Sequence, residues 1–252
     1  MTRVAVVTGA SSGIGRAAAV RLARDGCAVL AVGRDQAALA EVVAEIGRAG
    51  GQAAPFACDV TEAAAPARIV GQALSSFGSI DVLVNAAGII ASAGVADTTD
   101  EAWDAMMDVN VRAVFRLIRD AVPHLAKTHG AIVNLSSVAG TRAFPGVAAY
   151  CVSKAAVDQL TRCAALDFAP LGVRVNAVNP GVVVTNLHRR SGMDETRYAA
   201  FLEHSRSTHP LGRPGTPEEV ADLIAFLASP AAAWITGETI AIDGGRHLTC
   251  LR

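Results

Sequence analysis

No apolar run in this sequence approaches the ~18 to 20 residues that cross a bilayer. The opening residues, Met1-Thr2-Arg3 before a short Val/Ala run and Thr8-Gly9, leave no room for a signal-peptide core. The expectation is a cytoplasmic protein with no membrane partner. Cysteine is scarce and unpatterned: Cys27, Cys58, Cys151, Cys163 and Cys250 are odd in number, widely spaced and free of any Cys-x-x-Cys pair, which points to free thiols in a reducing compartment. Cys151 stands beside Tyr150 and invites a nucleophile reading, but neighbours in sequence point to different faces of a helix. The six histidines include no His-x-x-x-His pair, so no metal site is expected. A formal net charge of -1 provides no electrostatic footprint for nucleic acid.

With 18% charged and 52% hydrophobic residues, the chain has the composition of a well-buried globular core and not of a disordered segment. Its 252 residues suit one large α/β domain. Arg3 to Val7 reads as a buried strand. It runs into Thr8-Gly9-Ala10-Ser11-Ser12-Gly13-Ile14-Gly15, after which Ala17, Val20, Leu22 and Ala23 recur at helical spacing. Strand, glycine-rich turn and helix in that order let a pyrophosphate approach free backbone N–H groups.

Ala28 to Val32 is the second strand, and the residues at its end meet the adenosine ribose in a βαβ nucleotide site. An acid there holds a 2′-hydroxyl and an arginine accommodates a 2′-phosphate. Here Gly33 is followed by Arg34, which favours NADP(H). Asp35 could take the acidic role and make NAD(H) usable. Further strands are expected at Ala53 to Cys58, closed by Asp59-Val60 near the adenine edge, and at Ile80 to Val84, ending in Asn85-Ala86-Ala87-Gly88. Gly130 to Leu135, Val173 to Val178 and Ile235 to Ile242 complete the set. Strand–helix alternation without repeats or low-complexity linkers predicts a parallel, doubly wound sheet. A long helix over Glu101 to Leu125 is broken or ended near Pro123 and carries Asn110, an unfavourable mid-helix residue whose amide is either exposed or held by a tertiary bond.

Ser136 and Ser137 lie at the carboxyl end of the fifth strand, where open α/β sheets bind ligands, although they could simply cap a turn. Tyr150 and Lys154 follow on one helix, four residues apart and therefore on one face. A fixed cation favours a phenolate and lowers its pKa from about 10, which suits proton transfer at an alcohol or carbonyl oxygen. Many surface helices carry such a pair by chance. The segment 186–213 has poor apolar periodicity and five arginines against three acids, and reads as a substrate lid or a solvated polar face. Thr216-Pro217-Glu218-Glu219 caps a helix. The tail 246–252 is uninformative by itself.

Taken together, Thr8-Gly9-x-x-x-Gly13-x-Gly15, Asp59, Asn85-Ala86-Ala87-Gly88, Asn110, Ser137, Tyr150-x-x-x-Lys154 and Asn179-Pro180-Gly181 with Thr185 resemble the short-chain dehydrogenase/reductase family over essentially the whole chain. Ala86 departs from it, since many members carry a second asparagine there. The resemblance implies a Rossmann-type sheet of about seven parallel strands with helices on both faces, assembled as a homotetramer or homodimer through the Asn110 and Tyr150 helices. It implies that Tyr150 exchanges a proton with the reacting oxygen, Lys154 lowers the Tyr150 pKa and binds the nicotinamide ribose, Ser137 binds that oxygen, and Asn110 holds a water leading from Lys154 to solvent. Gly181, Val183 and Thr185 are expected to orient the carboxamide. The residues expected against the cofactor are Gly9, Ser11, Ser12, Gly13, Ile14, Gly15, Arg34, Asp59, Val60, Asn85, Ala86, Ala87, Gly88, Tyr150, Lys154, Pro180, Gly181, Val183 and Thr185. The substrate, a small carbonyl compound or alcohol, is expected between Ala91 to Val95, Val138 to Phe144 and the lid. NADP(H)-dependent reduction is the favoured activity. An NAD(H)-dependent dehydrogenase of sugars, polyols or hydroxylated rings, a 3-oxoacyl reductase acting on a carrier protein, and a silent nucleotide sensor are the alternatives.

Overall fold

The structure, a computed structural model, describes residues 2–249. Seven parallel strands, β1 (Val4–Thr8), β2 (Ala28–Gly33), β3 (Gln52–Ala57), β4 (Val82–Asn85), β5 (Ala131–Leu135), β6 (Arg174–Pro180) and β7 (Thr239–Ile242), form one sheet in the order β3-β2-β1-β4-β5-β6-β7. Parallel strands covered on both faces read as near-continuous apolar runs, and β1 and β2 are buried at every residue. Registration converts those runs into rows. Leu30, Val6, Leu83, Ile132 and Val175 are paired side by side across five strands and share one core. Their neighbours Ala31, Val7, Val84 and Val133 form the row on the opposite face.

Helices α1 (Gly13–Arg24) and α2 (Gln36–Arg48) cover the second face, together with α9 (Pro217–Ala228), through Leu22, Leu39, Val42 and Ile224. On the first face lie α3 (Ala65–Phe77), α5 (Ala113–Thr128) and α6 (Ala148–Phe168), which contribute Ile69, Leu117, Ile118 and Ala164. Burying each large aliphatic side chain is worth about 1.5–3 kcal/mol, so these two layers fix the strand ends that carry the site. Thr216 and Glu219 form a reciprocal capping box at the start of α9.

Two local expectations are corrected. Pro123 neither breaks nor ends its helix: α5 continues to Thr128 and stops only where His129 takes a left-handed conformation ahead of Gly130. The last strand is shorter than expected, because Ile235 precedes the turn at Gly237. The segment 186–213 is largely helical, with α7 (Leu187–Arg190) and α8 (Glu195–Thr208), the latter capped by the Asp194 carboxylate. The helix α4 (Asp100–Met107) passes into α5 through a π-helical stretch, Asp108–Arg112, with Asn110 at its centre. Cys27, Cys58, Cys151 and Cys163 are free thiols; Cys250 lies outside the described residues.

Candidate active site

The order of strands reverses between β1 and β4, and the turns leaving their carboxyl ends part to form a cleft of about 620 Å³. Thr8 joins the two turns: its hydroxyl accepts from the N–H groups of Ala86 (3.1 Å) and Ala87 (3.2 Å). The chains approach so closely here that a Cβ on Gly9 would stand 2.7 Å from the Ala86 carbonyl oxygen. One on Gly15 would stand 2.3 Å from the Gly9 carbonyl oxygen. Glycine is therefore required at both positions to bring the start of α1 under the cleft. Gly9, Ser11, Ser12, Gly13, Ile14, Gly15, Arg34, Asp59, Val60, Ala86, Ala87, Gly88 and Thr185 all line it.

Asn85 does not. It is buried, and its amide donates to Asn134 (2.9 Å), which in turn donates to Thr161 (2.9 Å), so it ties β4 to β5 and α6. At the end of β2, Arg34 and Asp35 are both exposed and both line the cleft, and one Asp35 carboxylate oxygen is engaged as the N-cap of α2, accepting from the Ala38 N–H (3.0 Å). The Asp59 carboxylate accepts from the N–H (2.9 Å) and hydroxyl (2.7 Å) of Thr61. Those bonds hold its pKa below the ordinary value.

A second cavity of about 300 Å³ opens from the same region, and Ile14, Ala86, Gly88, Leu135 and Thr185 line both. Ser137, Tyr150, Lys154, Pro180, Gly181 and Val183 face it together. Tyr150 enters from the first turn of α6, and Lys154 follows one turn later. The Lys154 ammonium donates to the carbonyl of Leu135 (2.8 Å) and lies 5.7 Å from the centre of the Tyr150 ring. Burial pulls the Lys154 pKa down to about 8, opposed in part by Asp158 a further turn along α6.

Within the protein alone the Tyr150 phenol is raised overall. Although Tyr150 keeps some exposure, desolvation pushes it up to about 12 against a hydrogen bond with Ser137 that pulls it down. Loss of hydration outweighs the Ser137 hydrogen bond and keeps the phenol protonated. Ser137 does cap a turn, accepting from the Ala139 N–H (3.1 Å), and also faces the cavity with its hydroxyl proton free of that bond.

Asn110 is buried, and the reason for its position is tertiary. Its Oδ1 accepts from the Ile89 N–H (2.9 Å), while Nδ2 faces the Ile89 carbonyl (3.0 Å) and the Ser153 hydroxyl (3.0 Å). It thereby clips the chain after Gly88 to α6. A Cβ at Gly88 would lie 3.3 Å from Asn110 Oδ1 and 3.7 Å from Lys154 Nζ, so glycine keeps the space between them open.

Four supporting residues were not among the expected site residues. Asp158, on the same face of α6 as Tyr150 and Lys154, accepts from Asn179 (2.9 Å), which also donates to the Ser137 carbonyl (3.0 Å). Burial holds the Asp158 carboxyl above its usual range. The helical spacing of Asp158 was the available signal. Tyr198, buried on α8, donates to the Thr185 carbonyl (2.9 Å) and accepts from its N–H (3.1 Å). His209 accepts from the Val182 N–H at Nε2 (3.1 Å) and donates from Nδ1 to the Ser205 carbonyl (2.7 Å), partners that suit a neutral ring. Burial lowers its pKa in the same sense. Neither of these last two has a local sequence signal. The substrate wall is also revised: Ile89 and Ile90 take the place of Ala91 to Val95, and Val95 is largely exposed. From 186–213, Leu187, His188 and Phe201 line the cavity.

The family described as "Enoyl-(Acyl carrier protein) reductase" matches residues 9–247. Short-chain reductase protein NovJ of Streptomyces niveus is 42% identical over 96% of this chain and 93% of its own length. The 3-oxoacyl-[acyl-carrier-protein] reductase FabG of Thermotoga maritima is 39% identical over 96% of this chain and 97% of its own. A crystal structure of a short-chain dehydrogenase/reductase of unknown function from Caenorhabditis elegans, with cofactor, superposes with a TM-score of 0.92 at 36% identity, over 98% of this chain and 96% of that one.

Proposed function

The chain belongs to the short-chain dehydrogenase/reductase family, and on that premise we propose that it moves a hydride between NADP(H) and a carbonyl or secondary alcohol, acting in the cytoplasm as a reductase. The observation that carries this reading is that Ser137, Tyr150 and Lys154 face one cavity continuous with a glycine-walled dinucleotide cleft. The cradle fits a pyrophosphate, because Gly9 and Gly15 let the turn after β1 fold back closely enough to bring the first turn of α1 to the cleft, which Gly13 and Ile14 line. A bound nicotinamide supplies the hydride donor or acceptor; the rest is done by the chain's own groups.

Ser137 and Tyr150 hold the reacting oxygen. A phenol pushed up to about 12 is fully protonated near neutrality, the state a proton donor requires. As negative charge develops on the oxygen, the Ser137 hydroxyl and the Tyr150 phenol are already aimed at it, an advantage set before the reaction starts. Lys154, at about 8, sits near the ambient pH and is able to pass a proton toward the tyrosine; a water taking the spare lone pair of Asn110 would link it to solvent. Asp158 and Asn179 act as positioning residues behind Ser137 and Lys154.

NADP(H) is favoured because one Asp35 carboxylate oxygen is committed to capping α2, while the Arg34 side chain lines the cleft. The residues 186–213 serve as the lid, with Leu187, His188 and Phe201 its inward face. Exposed Phe115 on α5 with Val152 and Leu166 on α6 supports assembly through these helices as a tetramer or dimer. Turnover of ketones, aldehydes, acyl thioesters and polyols with each cofactor tests the reading. NADPH-dependent reduction is expected; turnover with neither cofactor would leave only a silent nucleotide-binding role, and a preference for NADH with polyols would favour the dehydrogenase alternative.

A further inference from the structure

The substrate cavity is walled by apolar groups, Ile89, Ile90, Val138 and Phe144 among them, and among the described residues no carboxylate lines it. One permanent cation does. Arg246 comes from the segment following β7, directly after Gly244-Gly245, and that segment is tied down from across the cavity. Arg142 donates to the carbonyls of Arg246 (2.7 Å) and Thr249. The Phe144 ring is near both guanidinium groups, 5.1 Å from that of Arg246 and 6.0 Å from that of Arg142. These contacts fix where Arg246 stands.

They do not neutralise it. Its Nη1 is buried with no acceptor among the described residues. The neighbouring acid, Asp243, is already engaged by the N–H groups of Gly245 (3.0 Å) and His247 (2.7 Å) and by the His247 ring (2.9 Å). Burial and the like charge of Arg142 both disfavour the charged guanidinium, and Asp243 offsets them only in part. By contrast, three of the five arginines of 186–213, Arg189, Arg206 and Arg213, are paired with Glu195, Glu203 and Glu219. A partly buried cation without a counter-ion is costly. An anionic ligand in the cavity would complete the pair.

We propose that the substrate carries a carboxylate and that Arg246 binds it, while Ser137 and Tyr150 hold the carbonyl oxygen at the other end of an apolar body. This rests on the reductase reading above. A single guanidinium fork matches a monoanion in bidentate geometry; a phosphate would turn its remaining charge toward apolar walls.

The test uses the full chain loaded with cofactor. For reduction, 2-oxobutanoate, 3-oxobutanoate, 4-oxopentanoate and 4-acetylbenzoate are each compared with their methyl esters, and dihydroxyacetone phosphate with dihydroxyacetone. At least one acid is expected to exceed its ester by ten-fold or more in kcat/KM. Arg246→Met is expected to bring that ratio close to one, and Arg246→Lys to restore part of it. Equal use of acids and esters by the wild type overturns the proposal, as does an acid preference that survives Arg246→Met. A preference for the phosphate over every acid overturns the carboxylate assignment.

A binding arm separates this inference from the reading beneath it. Benzoate and cyclohexanecarboxylate are titrated calorimetrically into the NADP⁺-loaded wild type and Arg246→Met proteins, with the methyl esters as controls. Acid binding lost in the variant, with no carbonyl turned over, would sink the oxidoreductase reading and leave the anion site standing. Turnover of neutral carbonyls with no preference for acids in either arm would do the reverse.

Discussion

Replacing Tyr198 by Phe removes one oxygen atom and tests how the cofactor side of the cavity is held. That hydroxyl makes two hydrogen bonds to the backbone of one residue, donating to the Thr185 carbonyl (2.9 Å) and accepting from the Thr185 N–H (3.1 Å). The ring stays, buried under the Arg189 guanidinium 3.9 Å from its centre, so packing is preserved. Each hydrogen bond is worth about 0.5–1.5 kcal/mol net. Thr185 retains some exposure, so water can reach its backbone groups and the loss should total about 1–2 kcal/mol. The melting temperature should fall by roughly 2–8 °C for a chain of this size. Thr185 lines both the cofactor cleft and the substrate cavity, so loosening it should raise the Kd for NADPH by about 5- to 30-fold, the same free energy expressed as affinity. The two readouts are scanning calorimetry and a fluorescence titration with NADPH. A lower melting temperature with unchanged NADPH affinity would refute the claim that α8 positions the cofactor segment.

Arg34→Ala should weaken NADPH by about ten-fold or more, the loss of a charge-assisted contact, and leave NADH within about two-fold; equal losses in a paired titration would remove the basis for preferring NADP(H). Gly15→Ala should abolish cofactor binding and lower the melting temperature, because the new methyl group would stand 2.3 Å from the Gly9 carbonyl oxygen; a variant with normal affinity would mean that the turn can move aside. The pH dependence follows from Lys154, whose pKa is lowered from 10.5 to about 8 by burial. The folded state carries the cost of that buried charge below pH 8, and the cost is relieved as pH rises from the folded value toward the unfolded one, so this group raises stability across that window. Function runs the other way: kcat/KM for NADPH, which reports the free enzyme, should hold below pH 8 and decline above it as the ammonium is lost. A flat profile to pH 10 would assign ribose binding to another group.

Much of this molecule was legible because its information is local. Buried parallel strands show as runs of Val, Ala, Leu and Ile, and the turns after β1 and β4 show as glycine and small residues that close approach demands. The Tyr150–Lys154–Ser137 grouping was readable through helical spacing and strand ends. What escaped was carried by long-range contacts. The helix α8 was hidden because most of its residues are polar and exposed, and Tyr198 is its one large buried anchor. Asn85 was assigned to the cofactor by resemblance, while its amide in fact continues a chain of bonds through Asn134 to Thr161. The raised Tyr150 pKa was invisible because helical spacing says nothing about how far the fold buries the phenol. Arg246 had no sequence signal; its meaning depends on Phe144 and Arg142, which meet it only in the fold.

The central claim is that Tyr150 delivers the proton to the reacting oxygen. Single-turnover oxidation of bound NADPH by a carbonyl that the wild type reduces, followed by its absorbance in the wild type and in Tyr150→Phe, tests it most directly. The account predicts unchanged NADPH affinity and a rate lowered by at least the ~10²–10⁴-fold that a positioned acid contributes. Oxidation of NADPH by the variant at the wild-type rate would show that the proton comes from elsewhere.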